Sequence, residues 1–111
     1  MSDLSQKTCL PCEGGATALT RTQAEAMLTA LHAAWALSDN GASISRLFNF
    51  KDFYQTMSFV NAAAHVANSE DHHPDLEIGW GRCRVTYTTH SIGGLSENDF
   101  ICAAKVDSLI R

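Results

Sequence analysis

Three of the five histidines in this 111-residue sequence, His72, His73 and His90, fall in two short polar stretches. One is Glu70-Asp71-His72-His73-Pro74-Asp75; the other is Thr89-His90, ahead of Gly93-Gly94. Imidazole titrates near neutral pH, so a histidine group of this kind can donate and accept protons in catalysis. The carboxylates of Glu70, Asp71 and Asp75 and the negative end of a helix both favour the protonated ring. A single histidine at such a place could simply cap backbone carbonyls. Two adjacent ones, pinned by a proline and answered by a third, point to a site, since ionisable groups gathered at element ends are where sites concentrate.

Pro74 fixes where these side chains stand. Its ring pushes His73 out of the α region, so a helix running through Asn61 to Asp71 is expected to stop at about His72. The segment Asp52 to Asp71 contains no Gly or Pro and carries Phe53, Met57, Val60, Ala64 and Ala67 at three- and four-residue steps, an amphipathic stripe suited to packing on a sheet. Upstream, Thr22-Gln23-Ala24-Glu25 has the form of a capping box with Leu19 as a hydrophobic staple, which predicts a first helix from about Gln23 to Ala33. Trp35-Ala36-Leu37 and Ile44 to Phe48 flank Asp39-Asn40-Gly41, a hairpin signal.

Beyond Pro74, Leu76 to Trp80 and Arg82 to Thr89 read as two further strands with Gly81 at the turn. In the second, Cys83, Val85 and Tyr87 share one face, while Arg82, Arg84, Thr86, Thr88 and His90 share the other. His90 is thus expected to project with the polar set. Ser96 should cap a closing helix with Glu97 and Asp99 in its first turn. That helix carries Phe100, Ile101, Cys102, Ala103, Ala104, Val106, Leu109 and Ile110, more apolar surface than one sheet face can bury, so a second copy of the chain is the expected partner. Together these elements predict an α+β fold, a four-stranded antiparallel sheet with three helices packed on one face, in the order α-β-β-α-β-β-α.

Composition sets the outer limits. The length and a hydrophobic content of 45% fit one domain with one core. A net charge of −4 with eight Lys plus Arg leaves no basic footprint for nucleic acid or an anionic membrane surface. The first residues lack the apolar run of a signal peptide, and no stretch approaches spanning length, so a cytoplasmic protein is expected. Its four cysteines then read as thiols. Cys9-Leu10-Pro11-Cys12 has metal or redox spacing, but zinc needs four ligands and no second pair stands at a usual distance. Residues 1–19 are therefore expected to be a flexible or loosely docked leader, followed by the domain at 20–111.

The set His72-His73-Pro74-Asp75, Thr88-Thr89-His90, Gly93-Gly94-Leu95-Ser96 and Asp99-Phe100 resembles the pterin-4a-carbinolamine dehydratase family, over about Thr20 to Arg111. The resemblance implies loss of water from 4a-hydroxytetrahydropterin, giving the quinonoid dihydropterin in recycling of the pterin of aromatic amino acid hydroxylases. It implies no metal and no cofactor, and an assembly of dimers or tetramers. His72, His73 and His90 carry over as the catalytic trio, with His72 and His90 in acid and base roles. His73, Pro74, Asp75 and Thr89 carry over to pterin binding. Many relatives carry an acidic residue where this chain has Asn68. Animal members also serve as dimerisation cofactors of a homeodomain transcription factor, which gives the alternative of a protein-binding role.

Overall fold

The computed structural model describes residues 4–10 and 17–110. Helix α1 spans Arg21–Leu28, strands β1 and β2 Ala36–Leu37 and Ile44–Asn49, and helix α2 Phe53–Glu70. Strands β3 and β4 lie at Asp75–Gly79 and Arg82–Tyr87, then helix α3 at Glu97–Asp107. Short 3-10 turns occur at Leu4–Gln6 and His90–Ile92. The α-β-β-α-β-β-α order is the expected one, and the four strands form an antiparallel sheet in the order β1-β2-β4-β3.

Register explains why this sheet has one dry face. Ile44 pairs with Tyr87, Arg46 with Val85 and Phe48 with Cys83, so these residues point to a common side. Ile44, Cys83, Val85 and Tyr87 are fully buried there, in one cluster with Ala24 of α1, Phe59, Val60 and Ala63 of α2, and Phe100, Ile101, Ala103 and Val106 of α3. The intervening pairs, Leu47 with Arg84 and Asn49 with Arg82, carry exposed side chains on the opposite side. The alternation read from Arg82 to Tyr87 is therefore the real one.

Two expectations need correction. Helix α1 starts two residues earlier than expected because the capping box uses Thr20 and Gln23: the Gln23 amide donates to Thr20 Oγ1 at 3.1 Å and the Thr20 amide to Gln23 Oε1 at 2.8 Å. It also ends early, at Leu28, where the Thr29 hydroxyl bonds the Ala26 carbonyl and the backbone tightens into three-residue turns as far as Leu31. That tightening brings Trp35 into the core instead of the first strand, 5% exposed.

The apolar circumference of α3 is covered largely from within the chain. The turn at Leu4–Gln6 lies along it, with Leu4 buried, and Lys105 Nζ donates to the Ser5 carbonyl at 2.7 Å. The described part of the N-terminal segment, expected to be a flexible or loosely docked leader, is thus docked on α3. Leu109 and Ile110, beyond the end of α3, stay exposed.

At the far end of α3, Asp107 accepts from the Trp35 indole at 2.8 Å and from Arg46 Nη1 at 2.7 Å, while the Arg46 guanidinium lies 4.2 Å from the centroid of Phe48. Both ion-pair side chains are mostly buried, so removal of one leaves the other without compensation. Asp107→Ala is expected to lower stability by about 2–4 kcal/mol, or roughly 10 °C or more in Tm. An unchanged melting curve by circular dichroism would show that this contact does not hold α3 to the sheet.

Candidate functional site

The end of α2 places the two adjacent histidines in different environments. Helix α2 stops at Glu70, and Asp71 takes a left-handed conformation with φ 51° and ψ 42°. Short polar residues tolerate that conformation better than most, and it reverses the chain at once. The His72 amide still donates back to the Ala67 carbonyl at 3.1 Å. The helix therefore ends slightly before the expected His72, with Asp71 making the reversal and Pro74 holding the backbone at His73 extended. His72 turns inward and His73 faces solvent.

The His72 side chain is 12% exposed, and its ring lies nearly parallel to Tyr87 of β4, with 6° between planes and 5.9 Å between centroids. Its Nε2 stands 2.6 Å from Oδ1 of Asp99, a carboxylate with no exposed surface. The other oxygen of Asp99 accepts from the Thr89 hydroxyl at 2.8 Å and from the Ser96 amide at 3.0 Å. A carboxylate only accepts, so Nε2 of His72 carries the proton in this bond and Nδ1 is left for other chemistry. Since the Thr89 proton goes to Asp99, the 2.8 Å contact between the hydroxyls of Thr89 and Ser96 is donated by Ser96.

His73 rests on α2, its Nε2 3.1 Å from Oδ1 of Asn68. The Asn68 amide thus holds the second histidine. Glu70 accepts from the Cys9 amide at 2.8 Å and stands 3.8 Å from Lys105 Nζ. His90 is exposed, as its position in the polar set implies, but it opens a 3-10 turn and is not the last residue of β4, which ends at Tyr87. That turn closes at Gly93, whose φ of 67° suits glycine, and the Thr89–Gly94 bridge returns the chain to α3.

His72, His73, Thr89 and His90 line one cavity of about 520 Å³, together with Glu70, Asp71, Thr88 and Ser91. Pro74 and Asp75 stand outside this lining, Asp75 being the exposed first residue of β3. The remaining wall comes from Cys9, Leu10 and Asn98. Among the described residues no three His, Cys, Asp or Glu side chains gather as a metal-holding group.

Sequence reasoning missed Asp99 as a site residue and the N-terminal segment as a wall. Asp99 reads locally as a capping acid, and it does complete a capping box with Ser96. It also sits three, four and seven positions before Cys102, Ala103 and Val106, all buried, so an acid on an apolar helical face was the available signal. The N-terminal wall depends on long-range contacts. The Leu10 amide donates to Asn98 Oδ1 at 3.0 Å, and Cys9 Sγ lies 3.4 Å from Cys102 Sγ. The hydrogen bond shared with Cys9 and then burial hold the Cys102 thiol well above the usual range. Cys12 lies outside the described residues.

The sequence model of the family described as pterin 4 alpha carbinolamine dehydratase matches residues 17–109. A relative from Nitrosomonas eutropha is 59% identical over 97% of this chain and 94% of its own length; one from Legionella pneumophila is 51% identical over 98% and 96%. Both carry the provisional name pterin-4-alpha-carbinolamine dehydratase. Among solved structures, a transcriptional coactivator/pterin dehydratase from Brucella melitensis superposes with a TM-score of 0.80 at 35% identity, covering 86% of this chain and 100% of that one. A pterin dehydratase-like protein identified as a RuBisCO assembly factor of the alpha-carboxysome shares the fold at a TM-score of 0.61 and 24% identity, covering 70% and 90%.

The arrangement separates the histidines by what their removal should do to the fold. Asp99→Asn removes a buried charge that accepts from three donors, and a loss of about 1.5–3 kcal/mol is expected from urea unfolding. His73→Ala, at an exposed position, should stay within about 0.5 kcal/mol of the parent. Equal stability of the Asp99 variant and the parent would contradict the buried-carboxylate geometry.

Proposed function

The chain belongs to the pterin-4a-carbinolamine dehydratase family, and from that premise we propose that it is a hydro-lyase acting on a 4a-hydroxytetrahydropterin. The product is the quinonoid dihydropterin, and the role is recycling of the pterin used by aromatic amino acid hydroxylases. The observation that carries the reading is the convergence of His72, His73 and His90 on one cavity, whose volume of about 520 Å³ suits a small bicyclic substrate.

The reaction needs two proton movements. The hydroxyl on C4a leaves as water after receiving a proton, and the neighbouring ring nitrogen gives one up as the C=N bond forms, so the net loss is one water. His72 and His90 perform this acid and base work. His72 is suited to it because Asp99 fixes its ring, as the carboxylate of a catalytic triad orients its histidine. His90, exposed at its turn, lines the same cavity. His73, steadied by Asn68, holds the pterin, with Pro74 and Asp75 extending the binding edge. Thr89 acts through Asp99, to which its hydroxyl proton is committed.

A homo-oligomer in the cytoplasm belongs to the same proposal. With most of α3 covered internally, support for association comes from the chain end: exposed Leu109 and Ile110 adjoin Phe50, Phe59 and the 85% exposed Tyr54 across a shared hollow.

Dehydration of chemically generated 4a-hydroxytetrahydropterin, followed by ultraviolet absorbance against the uncatalysed background, tests the reading. Alanine at His72 or His90 is expected to lower kcat by about 10²–10⁴-fold, and alanine at His73 chiefly to raise KM. Folded His72 and His90 variants that keep parental kcat across a pH series would refute the acid and base assignment. Ile110→Asp should shift the oligomer toward monomer in light scattering at micromolar concentration, because a charge at an apolar contact is costly. A monomeric parent under the same conditions would refute association.

A further inference from the structure

We propose that Cys9 and Cys102 are a thiol–disulfide couple: oxidation by a small-molecule disulfide joins them, and the new bond fastens the N-terminal segment to α3 at the wall of the histidine cavity. This goes beyond the dehydratase reading and holds whatever reaction the cavity supports.

The two sulfurs are 3.4 Å apart although 93 residues separate them in sequence. A disulfide needs them at about 2.05 Å, so the pair must close by little more than 1 Å. The side that can move is the N-terminal segment, since Cys102 is fully buried in the middle of α3. The segment is already aligned on both sides of Cys9. Its own amide is held by Glu70, the next residue is held by Asn98, and the Ser5 carbonyl is held by Lys105. The third described cysteine, Cys83, is fully buried in the sheet, on β4.

Exposure sets the order of events. Cys9 is half-buried and lines the cavity, so it meets a reagent first, whereas Cys102 has no surface to offer. The Cys9 thiolate attacks one sulfur of the incoming disulfide. The S–S bond breaks, one thiol leaves with a proton, and a mixed disulfide remains on Cys9. Cys102 then attacks the Cys9 sulfur, its proton passing to the second thiolate as that group departs as a thiol. In sum the cysteine pair loses two protons and two electrons, which reduce the reagent to two thiols.

The bond would close a loop of nearly the whole chain, the case in which a disulfide restricts the unfolded state most. Cys9-Leu10-Pro11-Cys12 offers a competing local bond, and that bond would draw Cys9 away from Cys102. The full chain, freed of reductant, is equilibrated with oxidised glutathione, capped with N-ethylmaleimide and digested without reduction. Mass spectrometry is expected to find the Cys9 peptide linked to the Cys102 peptide, in the parent and in Cys12→Ser. Oxidation should raise Tm by roughly 10 °C. Dithiothreitol should reverse the rise, and Cys9→Ser should not show it. A Cys9–Cys12 bond, a mixed disulfide persisting on Cys9, or four free thiols when the glutathione-treated parent is denatured and capped would each overturn the proposal.

Discussion

Everything at the working end of this molecule depends on satisfying one buried carboxylate. Asp99 has no exposed surface, and an ionised group so placed is tolerated only when its oxygens are filled with donors. The donors come from three elements: His72 from the end of α2, Thr89 from the end of β4, and the Ser96 amide from the start of α3. Those element ends must therefore meet at one point. The convergence that stabilises Asp99 also puts His72 on the wall of the cavity that His73 and His90 line.

Helix α3 carries a second acid of this kind at its other end. Asp107 gathers the Trp35 indole and Arg46, and so fixes α3 against β2 and the segment leading into β1. Between the two acids the helix is apolar but for Lys105, and it packs on the sheet, on α2 and under the turn at Leu4–Gln6. One rigid element thus sets both the depth of the core and the position of the site. Cys102, between the acids, faces the N-terminal segment that completes the cavity.

Much of this was legible in the sequence because it is local. The alternation from Arg82 to Tyr87 and the unbroken helical run from Asp52 to Asp71 each depend on near neighbours, and the structure has both elements at those places, although α2 buries Thr56, Phe59, Val60, Ala63 and Ala67 and leaves Phe53 of the expected stripe exposed. The histidines at element ends were legible for the same reason. What was not legible rests on contacts between distant residues. Asp99 plays a capping role visible in its own helix and a histidine-holding role visible only when α2 arrives. Likewise Cys9 and Leu10 looked like part of a loose leader, since nothing within that segment announces that Glu70 and Asn98 will hold it. The limits of α1 moved because two overlapping capping signals, at Thr20 and Thr22, compete within two residues, and Trp35 gains more from burial than from a place in an edge strand.

The central claim is that Asp99 fixes the proton and the orientation of the His72 ring. Long-range nitrogen–proton NMR of the imidazoles, in the parent and in Asp99→Asn, tests it most directly. The account predicts that His72 carries its proton on Nε2, with a strongly downfield resonance from the 2.6 Å bond that is lost in the variant. A bare Nε2 in the parent, or a resonance unchanged by the substitution, would contradict it.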